Sequence, residues 1–302
     1  MFLETFRLPG METEEMLLAK RMEHNGGRNL GYIDNPYPCG LFPAMDLREL
    51  NFEKVTILYG GNGSGKSTLL NLIAQKLGLK RSAPFNSGEM MESFVKACRY
   101  ETGYDDYGDK MKIPEGSRII TSDDIFEYML AARSGNEEIE SAKEEAKGDW
   151  AVLKYGKGLR FQGMDDYENL RLQNLARSRS VSRRKFLKKT LGEEVRLASN
   201  GETALLYFQK KLENDTLYCL DEPENSMSPR MQLELKKLLE TQVRFCGCQL
   251  IMATHSPFLL SMQGARIYSL DEAPVDIRNW WELENVRIYY DFFKGNRELF
   301  ED

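Results

Sequence analysis

A glycine-rich stretch carries the residues best suited to chemistry. It fits the pattern of a phosphate-binding loop, in which four residues separate a first glycine from a Gly-Lys-Ser segment. Glycines let backbone N–H groups turn toward phosphate oxygens, and a following helix adds partial positive charge. We expect the lysine to reach the β- and γ-phosphates of a nucleotide and the serine to bind Mg²⁺. The predicted nucleotide-binding residues here are Gly60, Gly61, Asn62, Gly63, Ser64, Gly65, Lys66, Ser67 and Thr68.

Two acids end a second apolar segment, Leu-Tyr-Cys-Leu-Asp221-Glu222. In α/β folds, ligands bind beyond the carboxyl ends of the strands. Asp221 is therefore predicted to hold Mg²⁺, directly or through water, and Glu222 to orient or deprotonate an attacking water. The alternative is a pair of helix-capping acids at a strand end.

Two further segments lie on either side of this acidic pair. Ser199-Asn200-Gly201-Glu202 precedes a predicted helix, and Ala-Thr-His255-Ser-Pro follows a predicted strand. Taken alone, the first could be an ordinary helix N-cap followed by glycine, and His255 a structural histidine.

Apolar strands alternate with amphipathic helices along the chain. Short β-branched runs before residue 60, at 118–121, at 217–220, at 249–253 and at 265–270 predict strands, and 67–79, 203–212 and 230–243 predict helices. This alternation is typical of an α/β fold with a largely parallel, mixed sheet. We expect one domain over residues 1–302, with a helical lobe at about 83–200 inserted between the phosphate loop and Ser199.

The order of these motifs resembles that of ATP-binding-cassette (ABC) ATPases, in which the phosphate loop, signature loop, acidic strand end and histidine follow one another. The resemblance spans about residues 45–272. Within that superfamily, Asp221-Glu-Pro-Glu and His255-Ser-Pro are similar to SMC/RecF-type and OLD-type ATPases, and most closely to small stand-alone bacterial AAA-family ATPases. The resemblance implies that the chain has the P-loop NTPase fold of an ABC ATPase head.

The resemblance implies roles for these residues in Mg²⁺-dependent ATP hydrolysis. Lys66, Glu222 and His255 would be catalytic, with His255 sensing the γ-phosphate. The Mg²⁺ ligands would be Ser67 and Asp221. A composite site would form in an ATP-dependent head-to-tail homodimer, in which the opposite subunit supplies Ser199, Asn200, Gly201 and Glu202.

Two parts of the family's site have no clear match in the sequence. The glutamine that usually follows the strand after the phosphate loop is missing, and its open replacements are Asp123, Asp124, Gln162 and Gln173, although a helix cap explains the two acids as well. The surface that would stack on adenine is unassigned, with Phe6, Arg7 and Tyr32 as candidates.

Two functions remain open. The first is an ATP-driven switch that controls a protein effector, in bacterial phage defence or a toxin–antitoxin system. The second is a nucleic-acid-binding repair ATPase of the SMC/RecF kind, because Arg171–Lys189 holds eight Lys/Arg and no acid. A solvated helix face explains that run equally well. The C-terminal segment around Asn285 could be a dimer or partner helix.

Composition restricts the class of protein. The net charge of -6 does not favour nucleic-acid binding by the chain as a whole. Two histidines argue against a zinc site, and five cysteines without regular spacing argue against a disulfide framework. No apolar run approaches the roughly 20 residues of a membrane helix. We therefore expect a cytoplasmic protein without a membrane segment.

Overall fold

The structure is a computed structural model that describes residues 1–24, 36–82, 85, 88–132 and 200–300. One unit comprises Met1–Ile125 and Asn200–Asp302. A second unit, Phe126–Ser199, is described over residues 126–132, which are helical. Within the predicted lobe, residues 88–125 belong to the first unit and contribute strands to it. The remainder of the lobe beyond 132 lies outside the described residues, so the division of the chain stays a prediction.

The regular elements follow one another in a mixed order of strands and helices. They are β1 (Thr5–Arg7), α1 (Met11–His24), β2 (Glu49–Asn51), β3 (Val55–Tyr59), α2 (Lys66–Leu77), α3 (Glu89–Ala97), β4 (Arg99–Glu101), β5 (Arg118–Thr121), α4 (Asn200–Lys211), β6 (Leu217–Asp221), α5 (Pro229–Phe245), β7 (Gln249–Ala253), α6 (Pro257–Leu260), β8 (Arg266–Ser269), β9 (Asp276–Ile277) and α7 (Glu284–Gly295).

The larger sheet has the strand order β5-β6-β7-β3-β8-β9. Its first five strands are parallel, and β9 pairs antiparallel with β8. Every residue of β3 and β7 is buried, as expected for strands with helices on both faces. The predicted P-loop NTPase fold with a mixed, largely parallel sheet is confirmed.

The register of the central strands brings the carboxyl ends of β3, β6 and β7 to the same level, and the predicted motifs follow these ends. Ala253 at the end of β7 pairs with Leu58 on one side and with Asp221 on the other. The phosphate loop, the acidic pair and the histidine segment each begin within a few residues of this row. Parallel pairing therefore places all three at one edge of the sheet.

A second, three-stranded antiparallel sheet has the order β2-β1-β4. The sequence predicts its first strand within Phe2–Leu8 but not the sheet itself. Phe6 of β1 is completely buried in the same hydrophobic core as helix α2. Leu69, Leu70 and Ile73 of α2 are also fully buried there. This packing fixes the helix whose N-terminus closes the phosphate loop.

The C-terminal segment ends in helix α7. Leu283 and Val286 at its start are buried. Beyond them lie large apolar side chains that are each more than half exposed, namely Ile288, Tyr289, Tyr290, Phe292, Phe293, Leu299 and Phe300. Trp281 just before the helix is 53% exposed.

Candidate functional site

The phosphate loop connects β3 to α2, and its glycines are required by its shape. Gly65 has a φ of +89°, and a Cβ there would lie 3.1 Å from Leu41 Cδ2. Gly60 has a φ of +157°, and a Cβ there would lie 2.6 Å from Ser64 Oγ. An L-residue would therefore be strained at either position.

Lys66 lies inside the curve of this loop and is only 5% exposed. Its Nζ donates hydrogen bonds to the carbonyl oxygens of Gly60, at 2.6 Å, and Gly61, at 2.9 Å. Burial lowers the pKa of Lys66, and the nearby carboxylates of Glu222 and Asp221 oppose that shift. The loop thus holds a positive charge where phosphate oxygens would arrive.

The first residue pair that the structure brings together is Ser67 and Asp221. The Ser67 hydroxyl donates a 3.0 Å hydrogen bond to Asp221 Oδ1. Burial raises the pKa of Asp221 to about 6, although the bond from Ser67 opposes the shift. A partly buried carboxylate beside a hydroxyl suits a hard cation such as Mg²⁺, which commonly takes one or two protein ligands and completes its shell with phosphates and water. The chemistry of this donor set fits Mg²⁺.

Glu222 and His255 form a second pair beside the metal ligands. Glu222 Oε1 lies 3.7 Å from His255 Nε2. The other oxygen of Glu222 accepts a 3.1 Å hydrogen bond from Asn225 Nδ2. Burial, followed by the charge of Lys66, lowers the pKa of His255, so the imidazole is neutral at pH 7. Its Nε2 is buried and has no hydrogen-bond partner among the described residues.

Glu224 is a residue to which the sequence reasoning gave no role. Its Oε1 accepts hydrogen bonds from the Thr254 hydroxyl at 2.5 Å, from the His255 N–H at 2.9 Å and from the Ser256 N–H at 3.1 Å. One carboxylate oxygen thus organises the segment that carries the histidine. Its place next to Pro223, three residues after Asp221, is the only signal that the sequence offers.

Asp271 is a second residue that sequence reasoning missed. Its Oδ1 accepts a short hydrogen bond from the Gly61 N–H. Asp271 follows β8 by two residues, so it lies at the same sheet edge as the acids after β6. An acid just beyond a parallel strand was the available signal. The Asp271 carboxylate lies beside the phosphate loop that contains Lys66. Its negative charge opposes the lowering of the pKa of Lys66.

A cavity of about 330 Å³ opens on the phosphate loop. Tyr37 and Leu41 form one wall, and the Tyr37 hydroxyl is hydrogen-bonded to the Thr68 hydroxyl. Glu222 lines the cavity together with loop residues from Asn62 onward. The cavity is therefore bordered by both the predicted phosphate ligands and the predicted base.

The structure describes two of the three residues that were candidates for stacking on adenine. Phe6 is completely buried, so it offers no face to a ligand and that candidate is wrong. Arg7 is paired with Glu49 and Glu101 on the small sheet. Tyr32 lies outside the described residues.

The structure also describes two of the four candidates for the missing glutamine. Asp124 is buried and accepts hydrogen bonds from the Thr121 N–H and hydroxyl at 2.8 and 2.9 Å, which is the helix-cap interpretation. Asp123 is exposed. Gln162 and Gln173 lie outside the described residues, as does Arg171–Lys189.

The predicted signature segment is described from its second residue. Ser199 lies outside the described residues, and Asn200, Gly201 and Glu202 form the first turn of α4. Gly201 is buried, and a Cβ there would lie 3.2 Å from Met231 Cγ on α5. The small residue thus allows close packing of α4 on α5. The contribution of this segment to a neighbouring subunit's site stays a prediction.

Comparison with known proteins adds a family match. Residues 195–261 match the family described as "AAA domain, putative AbiEii toxin, Type IV TA system". This region holds the signature segment, the acidic pair and the histidine. An uncharacterised ABC transporter ATP-binding protein/permease of Saccharomyces cerevisiae is 26% identical over 207 residues, which are 67% of this chain and 14% of that protein. The chain thus spans a small part of the length of this curated relative.

Two of the solved structures to which this chain is similar are an SMC head domain and an ATP-binding cassette. The SMC head domain from Thermotoga maritima is 14% identical, with a TM-score of 0.39 over 92% of this chain and 99% of that one. A dimeric ATP-binding cassette in a post-hydrolysis state, bound to ADP and Pi, is 15% identical, with a TM-score of 0.36 over 77% and 88%.

The family match and the yeast relative confirm the predicted resemblance to ATPases of the ABC and AAA type. Among the described residues, no helix is long and apolar enough to cross a membrane.

Proposed function

We propose that this protein binds ATP with Mg²⁺ and hydrolyses it to ADP and phosphate. The observation that carries the proposal is the meeting of Lys66, Ser67, Asp221, Glu222 and His255 at one sheet edge, where Ser67 and Asp221 are directly hydrogen-bonded. This set contains a phosphate-binding cation, two hard metal ligands, a carboxylate base and a neutral imidazole. Each of these groups can contribute to binding the triphosphate or to activating the attacking water.

The chemistry follows from the positions of these groups. Mg²⁺, held by Ser67 and Asp221, would neutralise charge on the β- and γ-phosphates. Lys66 leaves its loop carbonyls for phosphate oxygens. Glu222 orients a water in line with the γ-phosphorus and accepts its proton, as the new P–O bond forms and the bond to the bridging oxygen breaks. His255 donates a hydrogen bond from Nε2–H, which lacks a partner among the described residues, to an oxygen of the γ-phosphate.

We also propose that the active form is an ATP-dependent homodimer. Among the described residues that line the cavity, Lys66 is the only cation. A triphosphate carries about four negative charges at neutral pH, so one lysine and one Mg²⁺ leave charge to be stabilised. The segment from Ser199 to Glu202 of a second subunit would supply backbone N–H groups at a helix N-terminus for this purpose.

The biological role that we propose is a cytoplasmic switch acting on a protein effector, in phage defence or a toxin–antitoxin system. The description of the matching family names a putative toxin and a type IV toxin–antitoxin system, which supports this setting. The exposed aromatic side chains of α7 support an interaction with another protein.

The decisive experiment is the solution mass of Glu222→Gln with and without ATP and Mg²⁺. The substitution keeps the size of the side chain but removes the base, so it should trap the bound state. We expect a monomer whose mass doubles on addition of ATP. Glu272→Gln, which removes an exposed acid away from the cavity, is the matched control and should hydrolyse ATP like the unchanged protein. A Glu222→Gln protein that does not bind ATP, or one whose ATP turnover is unchanged, would contradict the proposal.

A repair-type ATPase that binds nucleic acid is the second candidate, favoured by the eight Lys/Arg of Arg171–Lys189. Contacts of such a segment to phosphates would be salt-sensitive. The ATPase rate with and without DNA or RNA, at two salt concentrations, separates the candidates. Stimulation that is lost at high salt favours the second, and indifference favours the switch.

A further inference from the structure

The peptide groups of His255 are held by side chains from two other parts of the chain. Glu224 Oε1 accepts a hydrogen bond from the His255 N–H at 2.9 Å. Asn285 Nδ2 donates one to the His255 carbonyl oxygen at 2.8 Å. Glu224 follows the strand that ends in Asp221, whereas Asn285 begins helix α7 near the C-terminus. The histidine is therefore fixed from both sides by residues far from it in sequence.

The Glu224 side of this arrangement is a three-donor contact. Besides the His255 N–H, the same oxygen accepts bonds from the Thr254 hydroxyl and the Ser256 N–H. Thr254 is completely buried. Hydrogen bonds to an ionised carboxylate are about twice as strong as neutral ones. Rotation of Glu224 would break all three at once, so its position and that of the loop are mutually fixed.

The Asn285 side connects the histidine to the tail helix. The Asn285 N–H donates to the Tyr59 hydroxyl at 3.2 Å. The Tyr59 ring in turn meets the His255 ring edge-on, with centroids 6.3 Å apart. Leu283 and Val286 are buried on either side of this contact. The start of α7 is therefore anchored to the loop that positions the imidazole.

We infer that Glu224 and Asn285 are positioning residues that set the place of the His255 imidazole relative to Glu222. The inference rests on the proposed ATP hydrolysis. The distance between His255 Nε2 and Glu222 Oε1 is 3.7 Å, and a small shift of the His255 peptide displaces the ring from this arrangement. Helix α7 thereby becomes part of the ATPase site, although it contributes no atom to the reaction.

The test compares kcat and KM for ATP in Glu224→Ala and Asn285→Ala. We expect kcat to fall about tenfold or more, while KM changes less than about threefold, because the phosphate loop that binds ATP is untouched. Glu224→Gln keeps an oxygen that accepts the three bonds and should retain most of the wild-type kcat. A fall in kcat matched by an equal rise in KM would overturn the inference.

Two control variants each remove a side-chain hydrogen bond at a site away from His255. Asn296→Ala deletes a 2.8 Å bond from Asn296 Nδ2 to the Phe292 carbonyl at the other end of α7. Glu240→Ala deletes a carboxylate that accepts the Gln263 N–H. Both should keep kcat within about twofold. If they lose as much activity as the Glu224 and Asn285 variants, the effect is general destabilisation and the inference is wrong.

Double variants show whether the two residues act through the histidine. In a His255→Ala background, adding Glu224→Ala or Asn285→Ala should lower kcat by less than about twofold, because the group they position is gone. A further tenfold loss would contradict the inference.

Hydrogen exchange tests the same inference without requiring hydrolysis. Glu224→Ala should speed amide exchange at His255 and Ser256, and Asn296→Ala should not. If the unchanged protein fails to hydrolyse ATP, the proposed function fails, and the exchange result still decides whether Glu224 holds the loop. Unchanged exchange in Glu224→Ala would overturn its positioning role.

Discussion

Ser67 and Asp221 are 154 residues apart in the chain, and yet the Ser67 hydroxyl donates a 3.0 Å hydrogen bond to Asp221 Oδ1. Ser67 lies in the first turn of α2, and Asp221 is the last residue of β6. Strand β7 lies between β6 and the strand that leads into the phosphate loop. The contact therefore depends on parallel strands ending at one level, and it lies where we propose that Mg²⁺ binds.

Replacement of Asp221 by Asn should separate metal binding from folding. The amide oxygen can still accept the Ser67 bond, but the negative charge that attracts Mg²⁺ is lost. We expect the Mg²⁺ concentration for half-maximal ATPase activity to rise about tenfold or more. Thermal unfolding should be unchanged or shifted upward, because Asn removes a charge that is partly desolvated in the folded state. Asp276→Asn on strand β9 is the control, and an unchanged Mg²⁺ dependence in Asp221→Asn would rule out its role as a ligand.

Replacement of Asp271 by Asn should strengthen ATP binding. The Asp271 carboxylate bonds to the Gly61 N–H, close to where the triphosphate would lie, and repels it. Asn keeps an acceptor for the N–H but removes the charge. We expect the Kd for ATP to fall about three- to tenfold at low salt and the gain to shrink at high salt. Weaker binding would show instead that the charged form of Asp271 is needed to shape the loop.

Replacement of Ser199 by Arg tests the composite site. If Ser199 contacts the nucleotide of the opposite subunit, the bulky cation should abolish hydrolysis, whereas a monomer should bind ATP as before. Equilibrium binding of a fluorescent ATP analogue, measured beside steady-state turnover, checks both parts. Turnover equal to that of the unchanged protein would rule out the composite site.

Replacement of Glu14 by Gln should make the protein more stable at neutral pH. Glu14 is 3% exposed and accepts a bond from the Gly40 N–H, and burial raises the pKa of its carboxyl above the ordinary value of 4.5. The folded state thus resists the ionisation that the unfolded state undergoes freely. Stability is lost as pH rises from about 4.5 through the folded-state pKa, and Gln avoids that loss.

The pH dependence provides the check on Glu14. The difference in free energy of unfolding between the Gln variant and the parent should be present at pH 7 and should vanish below about pH 4. Glu15→Gln, at an exposed position beyond the first turn of the same helix, should show no difference at either pH. A gain that persists at low pH would mean that the charge of Glu14 is not its cause.

Local rules already specify the phosphate loop and the strands around it. Gly60 to Ser67 form a pattern whose function is encoded in backbone conformation, and a buried strand and a capped helix can be recognised from short apolar runs. For the same reason, Asp221 and Glu222 could be assigned from their place at the end of a strand. These features depend on residues that are close to one another in the sequence, so a single amino-acid sequence is enough to predict them.

Tertiary structure alone decided which distant residues surround these motifs. Glu224 and Asn285 both bond to His255, and Asp271 bonds to Gly61, although no spacing in the sequence connects them. The small sheet that buries Phe6 was equally hidden, because three-residue strands carry too little periodicity to be recognised. Strand order and register bring such residues together, and side-chain hydrogen bonds across elements form only after that packing is complete.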